Sequence, residues 1–314
     1  MRIMFPFDRS NGAASGSLLS ARPRWGEKII EKVIFANGML AIIVLLGVLF
    51  ILLRQGIPAL VETPIHKFLF GTAWYPVSDP PTFGILPFFV ATMWVTVVST
   101  VLAVPIGVGA AIFLAEIAPR KVADAVKPIV ELLSGFPSVV MGFIGLVLLS
   151  PWIQNTLGLN TGLTGITAGI MLAMMSLPII VSVSEDALRA VPEDFRQAAY
   201  GLGSTRWEVI WHVCVPSALS GISAAVMLGV GRAIGETMTV LMVAGGALAL
   251  PELPVDPMMP MTAAIASGIG NAVQGGPQYH ALFAIGLILF LLTLFVNLIA
   301  ARVLERQKRK FTAG

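Results

Sequence analysis

The 314-residue chain has one cysteine, Cys214, which excludes an intrachain disulfide framework. Charge is also scarce: Asp, Glu, Lys and Arg together make up 12%, against roughly 25% in soluble domains. The formal net charge of +3 is too small for a nucleic-acid binder, and the basic residues cluster at segment ends rather than in a patch. No lysine follows a glycine anywhere, so a phosphate-cradling Gly-x-x-x-x-Gly-Lys-Ser/Thr loop is missing. If nucleotide energy is used, another chain must supply it. His66, His212 and His280 fall in separate loops without metal-ligand spacing, and His-Glu-x-x-His is absent. They read as ordinary loop or interface residues. No catalytic constellation is visible, so the chain is expected to be neither an enzyme nor the holder of a metal or cofactor.

What is present is hydrophobicity, 56% of residues, gathered in long uncharged runs. Val33–Leu53 is 21 residues without a charge, enough for a membrane span of about 20. A cleaved signal peptide would need a shorter apolar region and a small-residue cleavage site, which are absent. The sequence predicts an all-α polytopic membrane protein with six transmembrane helices, near 33–53, 87–114, 129–149, 163–183, 217–250 and 281–301. Residues 1–32 read as an N-terminal tail, 54–86 as a proline-rich loop, 87–303 as the core and 304–314 as a basic tail. Trp74 and Tyr75 are expected at the membrane interface, and 261–273 as a short interfacial helix. A soluble helical protein would need every apolar run packed on all sides.

Orientation follows from counting. Residues 1–32, the 120–127 link, the 184–216 segment and residues 302–310 hold six, three, three and five Lys or Arg, seventeen of the twenty. Arg54 and Lys67 lie in the opposite loops, and Arg232 lies inside a span. Positive charge stays on the cytoplasmic side. Both termini are therefore expected in the cytoplasm of a bacterial cell, around a plasma-membrane bundle.

The segment 184–216 interrupts the apolar runs with eight charged residues: Glu185, Asp186, Arg189, Glu193, Asp194, Arg196, Arg206 and Glu208. Each would cost about 2.5–3.5 kcal/mol at mid-membrane, so the segment belongs in water. Pro192 with Glu193 and Asp194 suits a helix start, and Gly201 and Gly203 suit a left-handed stop. Thr205 and Glu208 have capping-box spacing for a second helix, which Pro216 is expected to end or bend. The result is a helical hairpin built to touch something in water.

One pair in the fifth stretch resists a bland explanation. Arg232 and Glu236 are four residues apart, which on a continuous helix puts them on one face, with Thr239 nearly in line. They face the protein interior or an aqueous path, since lipid is costly for both. Either they are an ion pair stapling the bundle, or Arg232 lines a route for a tetrahedral oxyanion while Glu236 holds it between passages. Gly135 and Pro137 should break the third span and free backbone groups. Ser134 and Ser138 beside that break could hydrogen-bond an oxyanion or cap the freed groups, and Glu131 either reaches water or pairs with Lys127. Gly229, Gly231 and Gly235 lack a preceding strand, so they read as helix packing rather than a dinucleotide loop.

Gln197-Ala198-Ala199, Gly203 and Val213-Cys214-Val215-Pro216 resemble the EAA loop of binding-protein-dependent ABC importer permeases, with spacing intact and Gln197, Val213 and Val215 as conservative departures. In that family the loop docks in a groove of the ATPase subunit, which implies a coupling role for Gln197, Ala198, Ala199, Gly203 and Pro216. Phe83-Gly84-Ile85-Leu86-Pro87, the run Glu131–Phe143, and Gly231-Arg232-Ala233-Ile234-Gly235-Glu236-Thr237-Met238 resemble the phosphate permeases of the PstC family. That resemblance covers about residues 30–310. It implies a complex with a PstA-like second permease, two PstB-like ATPase subunits that bind ATP and Mg, and a PstS-like extracytoplasmic phosphate-binding protein. It also places Arg232 and Glu236 in the path of inorganic phosphate. A permease for sulfate or molybdate, or a secondary anion transporter, is the alternative.

Overall fold

The computed structural model describes the backbone of residues 25–312 and the side chains of residues 30–302 and Glu305. The expected tails at 1–24 and 313–314 lie outside the described residues. Residues 25–32 and 304–312, also read as tail, are helical. In order, the chain forms α1 (Trp25–Glu62), α2 (Ile65–Phe70), β1 (Trp74–Tyr75), β2 (Thr82–Phe83) and α3 (Leu86–Ile112). Then come α4 (Arg120–Ser134), α5 (Ser138–Ile144), α6 (Ser150–Leu157), α7 (Gly165–Arg189), α8 (Glu193–Gly201) and α9 (Arg206–Val209). The last elements are α10 (Val215–Gly235), α11 (Met238–Val243), α12 (Met261–Ile269) and α13 (Pro277–Thr312). Residues 25–50 form one unit, a single helix; the second unit, from Ile51 onward, holds the core.

Six helical runs among the described residues are long and apolar enough to cross a membrane: Ile30–Glu62, Leu86–Ile117, Ser138–Leu157, Gly165–Arg189, Arg206–Gly235 and Pro277–Arg302. Three differ from expectation. The first, read as 33–53, continues through Pro58 to Glu62, into the stretch 54–86 read as a loop. Residues 129–134 belong to the amphipathic α4, which packs Ala123, Val126 and Val130 beside Val181 of α7, so the third span starts only at Ser138. The fifth stretch stops at Gly235 rather than running to 250, and α11 is a separate short helix.

Prolines shape the helices in a way that spacing alone did not reveal. Three π-helical turns, Phe113–Ile117, Gly145–Leu149 and Ile210–Cys214, each end two residues before a proline: Pro119, Pro151 and Pro216. In each, the residue before the proline gives its N–H to the carbonyl five residues back: Ala118 to Phe113, Ser150 to Gly145, Val215 to Ile210. A proline ring collides with the carbonyl four residues earlier, and a widened turn moves that carbonyl aside. Pro216 therefore does not end the second hairpin helix; it is carried inside the continuous run 206–235.

The core is laid down by α3 and α7, with α10 and α11 against them. Ala91 and Val95 of α3 meet Ala168, Met171, Leu172 and Met175 of α7, and Ala233, Val240 and Val243 join the same cluster. Trp74, expected at the membrane interface, is enclosed by protein. It is 7% exposed, edge-on to Phe83 and Phe88 with ring centroids 5.3 and 5.2 Å away, while Tyr75 is exposed. α12 is likewise packed: Met261 to Ala264 are buried, and it ends at Ile269 rather than 273.

Candidate functional site

Arg232 lies in the last turn of α10, and Glu236 lies just past its end in extended backbone, φ −71° and ψ 132°. The two do not share a helix face, and no ion pair joins them among the described residues. The four-residue spacing misled because the helix stops between them. Gly231 and Gly235 weaken that last turn, and Thr237 Oγ1 turns back to donate to the Gly235 carbonyl at 3.4 Å. The Glu236 carboxylate is committed elsewhere: Oε1 accepts the N–H groups of Thr237 (3.2 Å) and Thr239 (3.5 Å), at the start of α11. Its carbonyl accepts the Thr262 hydroxyl at 2.8 Å. Arg232 is half-buried, and its buried Nε has no hydrogen-bond partner among the described residues.

The second break, at residues 135–137, is brought against the first. Thr239, fully buried, donates Oγ1 to the Ser138 carbonyl at 3.0 Å, and that oxygen lies 3.3 Å from Met175 Sδ of α7. α5 and α11 approach so closely that a Cβ on Gly142 would sit 2.8 Å from Met242 Sδ and 3.2 Å from Thr239 Cα. Ser138 is therefore joined to Thr239 through its carbonyl, not its hydroxyl. Ser134 donates Oγ to the Glu131 carbonyl at 2.6 Å, capping a freed backbone group. Glu131 and Ser134 both stay exposed on α4. Lys127 does not pair with Glu131; its Nζ lies 2.7 Å from both Glu185 Oε2 and Asp186 Oδ1.

On the hairpin, the local signals hold. Pro192 immediately precedes α8, and Glu193 and Asp194 fill its first turn. Gly203, at φ +86°, makes the left-handed turn that a side chain would strain, whereas Gly201 stays helical. Thr205 and Glu208 close a reciprocal capping box: Glu208 Oε2 accepts the Thr205 N–H at 2.7 Å and its hydroxyl at 2.9 Å. Those two bonds hold the Glu208 carboxyl below its ordinary pKa. Gln197 and Ala198 face solvent, but Ala199 is buried in the cluster of Leu188, Val209 and Ile210, so only one alanine of the pair presents outward. Leu202, 89% exposed, stands at the tip.

Residues 103–310 match the family model described as binding-protein-dependent transport system inner membrane component. The chain belongs to that family. The permease is 34% identical over 311 residues to a probable ABC transporter permease protein, YqgH, of Bacillus subtilis, covering 96% of this chain and 99% of the relative. It is 36% identical to the phosphate transport system permease protein PstC of Pasteurella multocida, over 78% of this chain and 81% of that one. PstC of Mesorhizobium japonicum is also 36% identical, over 84% and 86%. Among solved structures, a chain of a bacterial alginate ABC transporter aligns with TM-score 0.61 at 16% identity, over 91% of this chain and 98% of its own length. The MetNI methionine transporter aligns with TM-score 0.55 at 20% identity, over 69% and 93%. These likenesses show the fold. The permease is thus a multi-pass inner-membrane transport subunit, not an enzyme, of an importer class that works with ATPase and binding-protein partners.

Sequence reasoning missed several residues that set this geometry. Thr262 and Met175 hold the break region from 26 and 64 residues away, and Glu116 anchors the hairpin from 80. Nothing in local spacing could have found contacts at such separations.

Proposed function

We propose that the permease is the PstC-like subunit of an ATP-driven, binding-protein-dependent importer of inorganic phosphate. The observation that carries this reading is Arg232: a half-buried residue whose buried Nε has no hydrogen-bond partner among the described residues, beside two helix breaks held together by Thr239 and the Ser138 carbonyl. Irregular backbone in a membrane bundle is tolerated where it lines a cavity or is buried in protein, and transporters build substrate sites at breaks between helices of this kind. Arginine's fork matches two oxygens of a tetrahedral oxyanion. Similarity to the two phosphate permeases supports phosphate over sulfate or molybdate. In this reading Arg232 meets phosphate, Thr239, Ser138 and Glu236 shape the break, and Ser134 and Glu131 stand near the entrance to α5. The charge count puts both termini and the hairpin in the cytoplasm. There Gln197, Ala198, Ala199, Gly203 and Pro216 build the element that meets a PstB-like ATPase dimer, which binds ATP and Mg. A PstA-like subunit completes the conduit, and a PstS-like protein delivers phosphate from the opposite side.

The test is radiolabelled phosphate uptake by the reconstituted complex, comparing Arg232→Ala with the parent and using sulfate as competitor. Uptake should be lost while the four-component complex still assembles, and sulfate should not compete. Parent-level uptake by Arg232→Ala would demote Arg232 to a packing residue, and equal competition by sulfate would reassign the substrate.

A further inference from the structure

The hairpin is fastened to more than the two spans that flank it. Arg196 on α8 is 13% exposed, and its guanidinium reaches four groups, one of them Glu193 Oε2 of its own helix at 3.4 Å. NH1 donates to the Val191 carbonyl at 2.6 Å, and NH2 to the Leu188 carbonyl at 2.9 Å, tying α8 to the chain where α7 ends. NH2 also pairs with Glu116 Oε1 at 2.8 Å, in the π-helical turn that closes α3. Glu116 is itself only 10% exposed. Arg206, opening α9, donates to the carbonyls of Glu116 and Ile117. Both hairpin helices therefore grip the last turn of α3.

The opposite end of α3 reaches the helix break. Thr92 Oγ1 accepts the N–H of Met261 at 3.0 Å, at the first residue of α12. The next residue, Thr262, gives its hydroxyl to the carbonyl of Glu236, the residue at which α10 ends. Thr92 and Glu116 lie on one uninterrupted helical run, Leu86–Ile117, and their separation corresponds to about 36 Å at 1.5 Å per residue. One continuous helical run, with Pro105 and the π-helical turn inside it, thus touches the hairpin through Glu116 and the residue after Arg232's helix through Thr92 and α12.

We propose that α3 is the rod that carries hairpin movement to the break beside Arg232, with Glu116 as the positioning residue through which Arg196 grips it. The covalent flanks α7 and α10 act alongside it. The inference rests on reading the chain as a subunit moved by a partner ATPase. Contact at both ends makes a route possible, and only a measured coupling makes it one.

The experiment uses the whole complex in vesicles and reads phosphate taken up per ATP hydrolysed. Glu116→Gln should assemble and hydrolyse ATP within about twofold of the parent, while phosphate per ATP falls about tenfold, in the ordinary range of a coupling effect. Glu116→Asp, which keeps the charge, should recover part of that ratio, and Thr92→Val should lower it from the other end. A ratio unchanged in Glu116→Gln overturns the proposal, as does a ratio unchanged in Thr92→Val. A second readout is independent of phosphate: spin labels at the exposed Val101 of α3 and Leu228 of α10 should change separation on ATP binding in the parent and by a different amount in Glu116→Gln, where α10 moves without α3. No change in the parent, or the same change in both, also overturns it. If the parent takes up no phosphate yet the labels respond through Glu116, the substrate reading fails and the rod stands.

Discussion

At the hairpin end of the permease each of three arginines meets a carboxylate or a set of carbonyls, whereas at the helix break Arg232 meets neither through its buried Nε. Arg189 pairs with Glu185, Arg196 with Glu116 and Glu193, and Arg206 with the carbonyls closing α3. Lys127 adds two bonds of 2.7 Å, and its ammonium is held above its ordinary pKa first by Asp186 and then by Glu185. At the break, the Glu236 carboxylate is turned to backbone N–H groups instead. A guanidinium paired on several sides fixes geometry and has little field left over. One without a fixed partner keeps its field for an anion that comes and goes. The same residue type is a bolt in one place and a binding group in the other, and the difference lies in what the fold sets opposite it.

The comparison breaks most visibly at Arg232→Lys. The ammonium keeps the charge but not the planar fork, and losing one charge-assisted hydrogen bond costs about 1.5–3 kcal/mol. Phosphate uptake, read as kcat/KM, should fall by roughly 10–100-fold on that scale, with assembly and ATP hydrolysis preserved. Undiminished uptake would mean that charge alone suffices and the fork is irrelevant.

Glu236→Gln sharpens the same contrast with a smaller effect. Gln keeps an oxygen for the N–H groups of Thr237 and Thr239 while removing the charge, so uptake should stay within about threefold of the parent. Glu236→Ala removes the acceptor as well and should weaken the start of α11 by about 1 kcal/mol, the scale of a lost cap. A collapse of uptake in the Gln variant, as large as that of Arg232→Ala, would restore Glu236 to the role of counter-ion.

These two residues also mark how far the sequence could be read. What depends on neighbours within a few positions was legible: the break at Gly135 and Pro137, the left-handed turn at Gly203, and the capping box of Thr205 and Glu208. Uncharged length gave the number of spans, because desolvating charge leaves few alternatives. What failed depended on where a helix ends. Arg232 and Glu236 were placed on one face by a period that assumes continuity, and the end of α10 is fixed partly by Thr262, 26 residues away. The start of the third span was misplaced because the apolar face of α4 reads as lipid-facing until α7 is seen covering it. The burial of Trp74 was not legible for the same reason: Phe83 and Phe88, which enclose it, come together only in three dimensions.

The smallest expected effect lies at the hairpin, where the capping box lets pH test the idea that this end is held by fixed pairings. The Glu208 carboxyl titrates below its ordinary 4.5 because the Thr205 N–H and hydroxyl both favour the charged form. A depressed folded-state pKa contributes stability that is fully present above the ordinary value and disappears as pH falls through the lowered one. Hydrogen exchange at the first turn of α9 should therefore show protection that is level from neutral pH down to about 4.5 and declines below it. In Glu208→Gln the step should vanish, since no proton is taken up there, and Thr205→Ala should remove most of the protection at every pH. A parent profile that stays level well below that range would mean the box is held by packing rather than by the carboxylate. The hairpin's rigidity would then have to come from Arg196 and Arg206 alone.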